Sequence, residues 1–274
     1  MKPSPNTHHV HHHVALSYPV SFPQRLYAII LGPLLIVVIM SLAVTVVPAV
    51  STYAGAEMPL STIVLAALYT CSRLAAAYFL AIIVAIPLAI AVTHNETLEA
   101  FFLPVFDILE SIPILALFPV IILLFIQFNF LNGAAIFILF LSMLWNIVFT
   151  LVGALKLIPK DIVDAAKVFD IRGFAYVRRV ILPALVPQLV TGSILAVAQG
   201  WNLIIVAEVL HTYIPNGTPA QDLFGVGSIL VSAAANAQNG VFLTAVFVMV
   251  VFIALLNFFV WQKLLHYAQR FRFE

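Results

Sequence analysis

Residues 160–183 read KDIVDAAKVFDIRGFAYVRRVILP and carry eight charged side chains, in a chain that is only 8% charged overall. The surroundings are apolar: 64% of residues are hydrophobic and the mean hydropathy is +1.13, which is the composition of an integral membrane protein. The charged island is therefore a segment held outside the bilayer between two spans. A hydrocarbon core of about 30 Å needs roughly 20 apolar residues per helix. Working outward from the island, six such runs occur: Tyr27–Val47, Ser72–Val92, Ile112–Phe130, Ala134–Leu155, Ala184–Leu210 and Val241–Gln262. They are continuous rather than alternating, which excludes the strands of a closed barrel and predicts an all-α protein with six transmembrane helices.

Charge gives these spans an orientation. The segments 1–26, 93–111, 156–183 and 263–274 fall on one side and hold eleven of the twelve basic residues. The twelfth, Arg73, sits at a helix end facing the other side. The excess of Lys and Arg places both termini and the 156–183 loop in the cytoplasm. The expected organisation is a cytoplasmic His-rich tail (1–26), a six-helix membrane domain (27–262) and a cytoplasmic C-terminal tail (263–274). The first run begins too late and is too long for a cleavable signal, so it is expected to stay as a helix. A net charge of +1 gives no footing for a nucleic-acid partner, and the single cysteine, Cys71, excludes an internal disulfide. Among the outer connections only 211–240 is long, and its stretch Phe224–Ala235 is apolar enough for a short helix at or dipping into the outer interface.

Local physics shapes the island. Pro159 suits the first turn of a helix, and Asp161 and Asp164 favour the positive end of its dipole, so a short helix is predicted over Pro159–Phe169. Ile162, Val163, Ala166 and Phe169 recur at three- and four-residue spacing as an apolar stripe, with Lys160, Asp164 and Lys167 off it. Asp170 tolerates the left-handed conformation that ends helices and Gly173 adopts it freely, so Asp170–Gly173 reads as a turn. A second short helix, Phe174–Ile181, runs into Leu182-Pro183, where the next span starts. Two roles suit this helix-turn-helix: contact between its Lys and Arg residues and anionic lipid headgroups, or a knob that docks on a soluble partner. Its mixed charge and the small pair Ala165-Ala166 suit the second.

The same residues resemble the membrane-spanning subunits of binding-protein-dependent ABC importers. That family's cytoplasmic loop carries E-A-A, three residues, G, nine residues, then I-x-L-P. Here the register gives Asp164-Ala165-Ala166, then Asp170, then Val180-Ile181-Leu182-Pro183, with Asp170 where the family places Gly. Thr70-Cys71-Ser72-Arg73, Ser111 to Pro119 and Phe224-Gly225-Val226-Gly227 look like the branch serving nitrate, sulfonates, taurine and related small anions. Trp145-Asn146, Gly200-Trp201-Asn202, Val206-Ala207-Glu208 and the ending from Asn257 to Arg272 look like an anion-transport subgroup within it. The resemblance implies the type I importer permease fold and a coupling helix made by Asp164, Ala165, Ala166, Asp170, Gly173, Leu182 and Pro183. It further implies a pair of ATPase subunits that bind ATP and Mg, a second permease copy, and an external substrate-binding protein.

The chain has no G-x-x-x-x-G-K-[ST] loop to cradle a nucleotide, which fits a permease that borrows ATP hydrolysis and fits equally an ion-coupled secondary carrier. A carrier would place ionisable groups at membrane depth and show inverted repeats, and the sequence offers neither clearly. No catalytic constellation emerges, so an enzyme is not expected. Arg73, Asn146, Trp201, Asn202 and Glu208 are candidates for the transport path or for helix contacts; for Glu208 the competing role is a structural pairing with Arg73 or a backbone group. Gly192 and Gly200 read as helix contacts. His8, His9, His11, His12 and His13 form a tract able to bind a transition metal, or a tail with incidental affinity.

Overall fold

The computed structural model describes residues 58–271, so the predicted span Tyr27–Val47 and the His-rich tail lie outside the described residues. Within them every regular element is helical. We label the helices α1 (Leu60–Thr93), α2 (Glu96–Ser111), α3 (Ile114–Gln127), α4 (Leu131–Lys156), α5 (Lys160–Val168), α6 (Gly173–Tyr176), α7 (Leu182–Glu208), α8 (Val226–Ala235), α9 (Asn239–Leu256) and α10 (Gln262–Ala268). Four helical runs are long and apolar enough to cross a membrane: α1, α4, Gly173–Glu208 and Asn239–Phe271. The bent pair α2–α3 makes up to five among the described residues.

Helix α4 is the central one, with 61% of its apolar window buried against 28% for α1 and 17% for the Asn239–Phe271 run. It packs between α1 and α7. Because lipid tails are as apolar as Leu, helices in a bilayer associate through close packing and interhelical hydrogen bonds rather than through hydrophobic exclusion. The sequence supplies both. Ala77, Ala81, Ala85 and Ala89 form a fully buried row along α1, and Tyr78 Oη donates to Ser193 Oγ of α7 at 2.8 Å. Gly192 and Gly200 lie where a methyl group would meet Thr150 and Met143 of α4, so both serve helix contact as expected.

Three expectations are corrected. The span Ile112–Phe130 is one helix but a short one: α3 has 14 residues, or about 21 Å, too short for the hydrocarbon core alone, and it meets α2 at 85° across Ile112-Pro113. Pro113 explains the break, since its ring drives Ile112 into extended backbone (φ −70°, ψ 123°). The segment 93–111, read as a connection, is mostly helix α2, capped by the Asn95 side chain on Thr97 N at 2.9 Å. Second, α1 begins at Leu60 rather than Ser72, so Arg73 is well inside a 34-residue helix and not at its end. The polar group Thr70 to Arg73 looked like a boundary, but nothing in it breaks a helix, and the Thr70 and Arg73 side chains find partners inside the bundle.

Third, Pro183 does not start a span. Helix runs without interruption from Gly173 to Glu208 through a π turn at Val177–Ile181. Proline lacks an N–H and clashes with the carbonyl four residues back. The wider turn, in which Leu182 N–H bonds to Val177 O, absorbs that defect without ending the helix. The apolar stretch of the 211–240 connection forms α8 as expected, but it is packed into the bundle. Val226, Ile229, Leu230 and Ala233 bury against Ile63, Ala66 and Ala67 of α1 and Val241, Ala245 and Val248 of α9.

Candidate functional site

Two polar structures interrupt the apolar bundle at opposite ends of α7. At one end lies the 160–183 island. Helix α5 follows Pro159, and its inward side is Ile162, Val163 and the buried Ala166, while Asp164 and Ala165 face outward. The helix closes on Asp170, whose φ of 52° is left-handed. Asp170 N–H bonds to Lys167 O at 3.0 Å and Ile171 N–H to Ala166 O at 2.9 Å, the paired bonds of a Schellman ending. Aspartate here adopts a backbone conformation that glycine reaches at no steric cost. Gly173, at φ 56°, supplies the second left-handed residue and turns the chain into α6.

Phe169 departs from the expected stripe. The helix ends one residue before it, and its side chain is 76% exposed, beside Val168 at 82% and Phe174 at 79%. The knob thus presents an apolar patch, flanked by exposed ion pairs of Lys167 with Asp164 (2.9 Å) and Arg172 with Asp170 (2.6 Å). The hydrogen bond that Lys167 donates to the Asp164 carboxylate holds the ammonium's pKa above the usual lysine range. Beneath the knob a cavity of about 300 Å³ is lined by His94, Glu99, Lys156 and Tyr176, with Lys156 paired to Glu99 of α2. Leu182, which is exposed, and the half-buried Pro183 belong to α7.

At the other end is a buried clasp. Glu208, the last residue of α7, is wholly inaccessible, and Arg73 is 6% exposed. Arg73 Nη1 donates to Glu208 Oε1 at 2.8 Å, Nε to Asn132 Oδ1 at 2.8 Å and Nη2 to Phe224 O at 3.0 Å. Thr70 Oγ1 donates to Glu208 Oε1 at 2.7 Å and accepts from Val226 N at 3.0 Å. Gly227 N donates to Glu208 Oε2 at 2.7 Å. The carboxylate therefore sits on the positive end of α8 and joins it to α1 and α7, while Arg73 reaches the start of α4 through Asn132. Every buried side-chain polar atom among the described residues has a partner.

The glycines of Phe224-Gly225-Val226-Gly227 permit this approach. A Cβ on Gly225 would collide with the Glu208 carboxylate, and one on Gly227 would lie 2.8 Å from Ile205 Cα. Farther along the 211–225 connection, His211 Nδ1 and Asp222 Oδ2 lie 2.8 Å apart, and Tyr213 stacks edge-on against Phe118 of α3.

The candidates named from sequence thus separate. Arg73 and Glu208 come together as a buried ion pair. Asn146 is half-buried and only weakly tied, to Ser142 O at 3.4 Å. Trp201 is half-buried against the main core, whereas Asn202 is exposed. Thr70 and Asn132 were missed. Thr70 precedes Arg73 by three positions and so shares its helix face, a legible signal; Asn132 gives none, because only packing brings α4 beside α1. Among the described residues no group of three or more His, Cys, Asp or Glu could hold a metal ion, and the five-His tract lies outside them.

Known proteins resemble this chain over much of its length. It is 29% identical over 193 residues to the bicarbonate transport system permease protein CmpB of Synechococcus elongatus, covering 70% of this chain and 65% of that one. It is 30% identical over 156 residues to the nitrate import permease protein NrtB of Leptolyngbya laminosa, covering 57% and 55%. With the taurine transport system permease protein TauC of Escherichia coli it shares 23% identity over 139 residues, covering 51% and 50%. The chain thus spans about half to two-thirds of the length of these relatives. Residues 79–270, more than half of the chain, match the family described as binding-protein-dependent transport system inner membrane component, and the chain belongs to that family.

Proposed function

We propose that this chain is the membrane-spanning permease subunit of an ATP-driven importer of a small anion, and that residues 160–183 couple it to a separate ATPase. The observation that carries this reading is the knob itself. Three large apolar side chains, Val168, Phe169 and Phe174, are more than three-quarters exposed on a rigidly terminated helix-turn-helix. Exposed apolar side chains of this kind on a charged, non-spanning segment fit a surface that docks on a partner. Asp164 and Ala165 extend the same outward surface. Family membership supplies the expected partner: an ATPase pair that binds ATP and Mg, with a second permease copy and an external binding protein.

The chemistry of the chain gives it the passive half of the cycle. ATP-driven closure of two ATPase subunits would pull on two knobs, and the continuous Gly173–Glu208 run would carry that displacement through the membrane as a single lever. The differential interaction that moves the equilibrium between inward- and outward-facing states comes from the ATPase. The positive-inside rule puts the knob and both termini in the cytoplasm and the Arg73–Glu208 clasp on the outer side, where the binding protein would deliver its cargo.

The test is co-purification. Asp164→Lys with Ala165→Leu should release the ATPase and abolish ATP-dependent uptake, with the permease still folded and monodisperse in detergent. Undiminished uptake by that variant, or proton-driven uptake with the ATPase absent, would overturn the proposal.

A further inference from the structure

We infer that one face of α7, bearing Gln188, Thr191, Gln199 and Asn202, lines a water-filled path through the membrane and holds the cargo by uncharged hydrogen-bonding groups alone. The inference rests on the import reading above and names how the path is lined.

The two faces of α7 are chemically opposite to what lipid contact requires. Its buried face is apolar or small: Leu185, Gly192, Ala196, Gly200, Ile204 and Ala207. Thr191, Gln199 and Asn202 are exposed and Gln188 is half-buried. Their spacings of three, eight and three residues keep them on one side of a 3.6-residue helix, and from Gln188 to Asn202 the stripe runs about 21 Å, most of a hydrocarbon core of about 30 Å. Leu195, Ala198 and Ile205 are exposed beside them, so the stripe interleaves polar and apolar side chains.

The outward face of α1 differs. It presents Leu68, Phe79, Leu80 and Ile83, the residues expected against acyl chains. Amide groups facing hydrocarbon would leave donors and acceptors unpaired, which is why polar residues at membrane depth face water or another helix. The side-chain hydrogen bonds of α7 run through Thr191 to Pro187 O, through Ser193 and through Glu208; none among the described residues involves Gln188, Gln199 or Asn202. Three amides are therefore available to a passing solute.

Charge is withheld from this path. Within residues 60–93, 131–155, 182–208 and 239–262 the one Lys or Arg is Arg73, and its guanidinium is engaged by Glu208, Asn132 and Phe224 O. A small oxyanion would meet amide N–H and hydroxyl donors but no free ammonium or guanidinium. Neutral donors bind weakly enough for release, which a conducting path requires. Helix contact with a second copy is the competing use of such a stripe, and the two uses differ in access to water.

The experiment is thiol accessibility in membranes containing the complete transporter. In a Cys71→Ser background, single cysteines replace Gln188, Thr191, Gln199 and Asn202, with Phe79→Cys and Ile83→Cys as lipid-facing references. The probe is a membrane-impermeant, sulfonate-bearing methanethiosulfonate. Because the reactive thiolate forms in water and not in hydrocarbon, stripe positions should react at least about tenfold faster than the references. Reaction at reference rates would overturn the inference. So would copy-to-copy disulfides at all four positions without reaction with the probe, since that marks a dry helix contact.

A second arm replaces Gln199 with Lys. It should slow anion uptake about tenfold or more by trapping the cargo, a free charge in a low-dielectric path being worth far more than a neutral donor; unchanged uptake would refute the weak-holding argument. Failure of the importer reading is separable: it would appear as a permease that never co-purifies with an ATPase, whatever the stripe's reactivity.

Discussion

Replacing Glu208 with leucine tests whether the clasp is architecture or pathway. The variant leaves the Arg73 guanidinium buried with its carboxylate partner gone, and it strips Thr70 Oγ1 and Gly227 N of their acceptor. Removing one member of a buried ion pair destabilises by about 3–5 kcal/mol, because the remaining charge is uncompensated. Neutral interhelical hydrogen bonds in membranes average only about 0.6 kcal/mol, so the stranded charge dominates the loss. At roughly 2–4 °C per kcal/mol for a chain of this size, the midpoint should fall by at least about 6 °C.

The double variant Arg73→Met with Glu208→Leu removes both charges. It should recover more than half of the loss, since apolar replacement of a whole buried pair is often neutral. The assay is thermal denaturation of purified permease in one detergent at fixed lipid content, taken round the full double-mutant cycle. A single Glu208→Leu variant within about 1 kcal/mol of the parent would refute the structural assignment. So would a double variant as unstable as the sum of the two singles. A stable variant that had lost only uptake would make Glu208 a pathway residue.

Further outcomes follow from the same geometry. Gly227→Ala places a methyl 2.8 Å from Ile205 Cα and 3.0 Å from Glu208 Oε2, so it should destabilise by about 1–3 kcal/mol in the same denaturation assay. Asp170→Val should cost about 1–2 kcal/mol of local stability at a residue held at φ 52°, whereas Asp170→Gly should be tolerated; limited proteolysis of the 160–183 segment separates the two. Lys156→Ala removes a half-exposed ion pair with Glu99 and should shift stability by less than about 1 kcal/mol, read by the same midpoint. Pro183→Ala restores an N–H to the turn and should convert the π turn at Val177–Ile181 toward regular helix. That would rotate the knob relative to α7, detectable as a changed distance between spin labels on Phe174 and Leu195.

Much of the fold was written in local chemistry. Continuous apolar runs located α4, the body of α1, α7 and the Asn239–Phe271 run, because hydrocarbon demands internally bonded helices of a minimum length wherever such runs occur. The left-handed residues Asp170 and Gly173 were legible for the same reason, since backbone sterics at one residue need no distant partner. Breaks were less legible. Pro113 and Pro183 are the same residue type in similar apolar surroundings, yet one bends the chain by 85° and the other is absorbed in a π turn.

The sequence by itself therefore determined that the chain lives in a membrane, where most of its spans run, and how its charged island ends its helix. Those properties come from hydropathy and single-residue backbone preference. Only the tertiary structure decided what the polar residues inside the membrane do. Arg73 and Glu208 are 135 positions apart, and their meeting depends on α1 and α7 packing closely with the start of α8. Asn202 is exposed and Glu208 buried on the same helix, six residues apart, because packing against α4 and α8 selects which face of α7 turns inward. Composition contains no trace of that choice, since a helix of given sequence can present either face until its neighbours are in place.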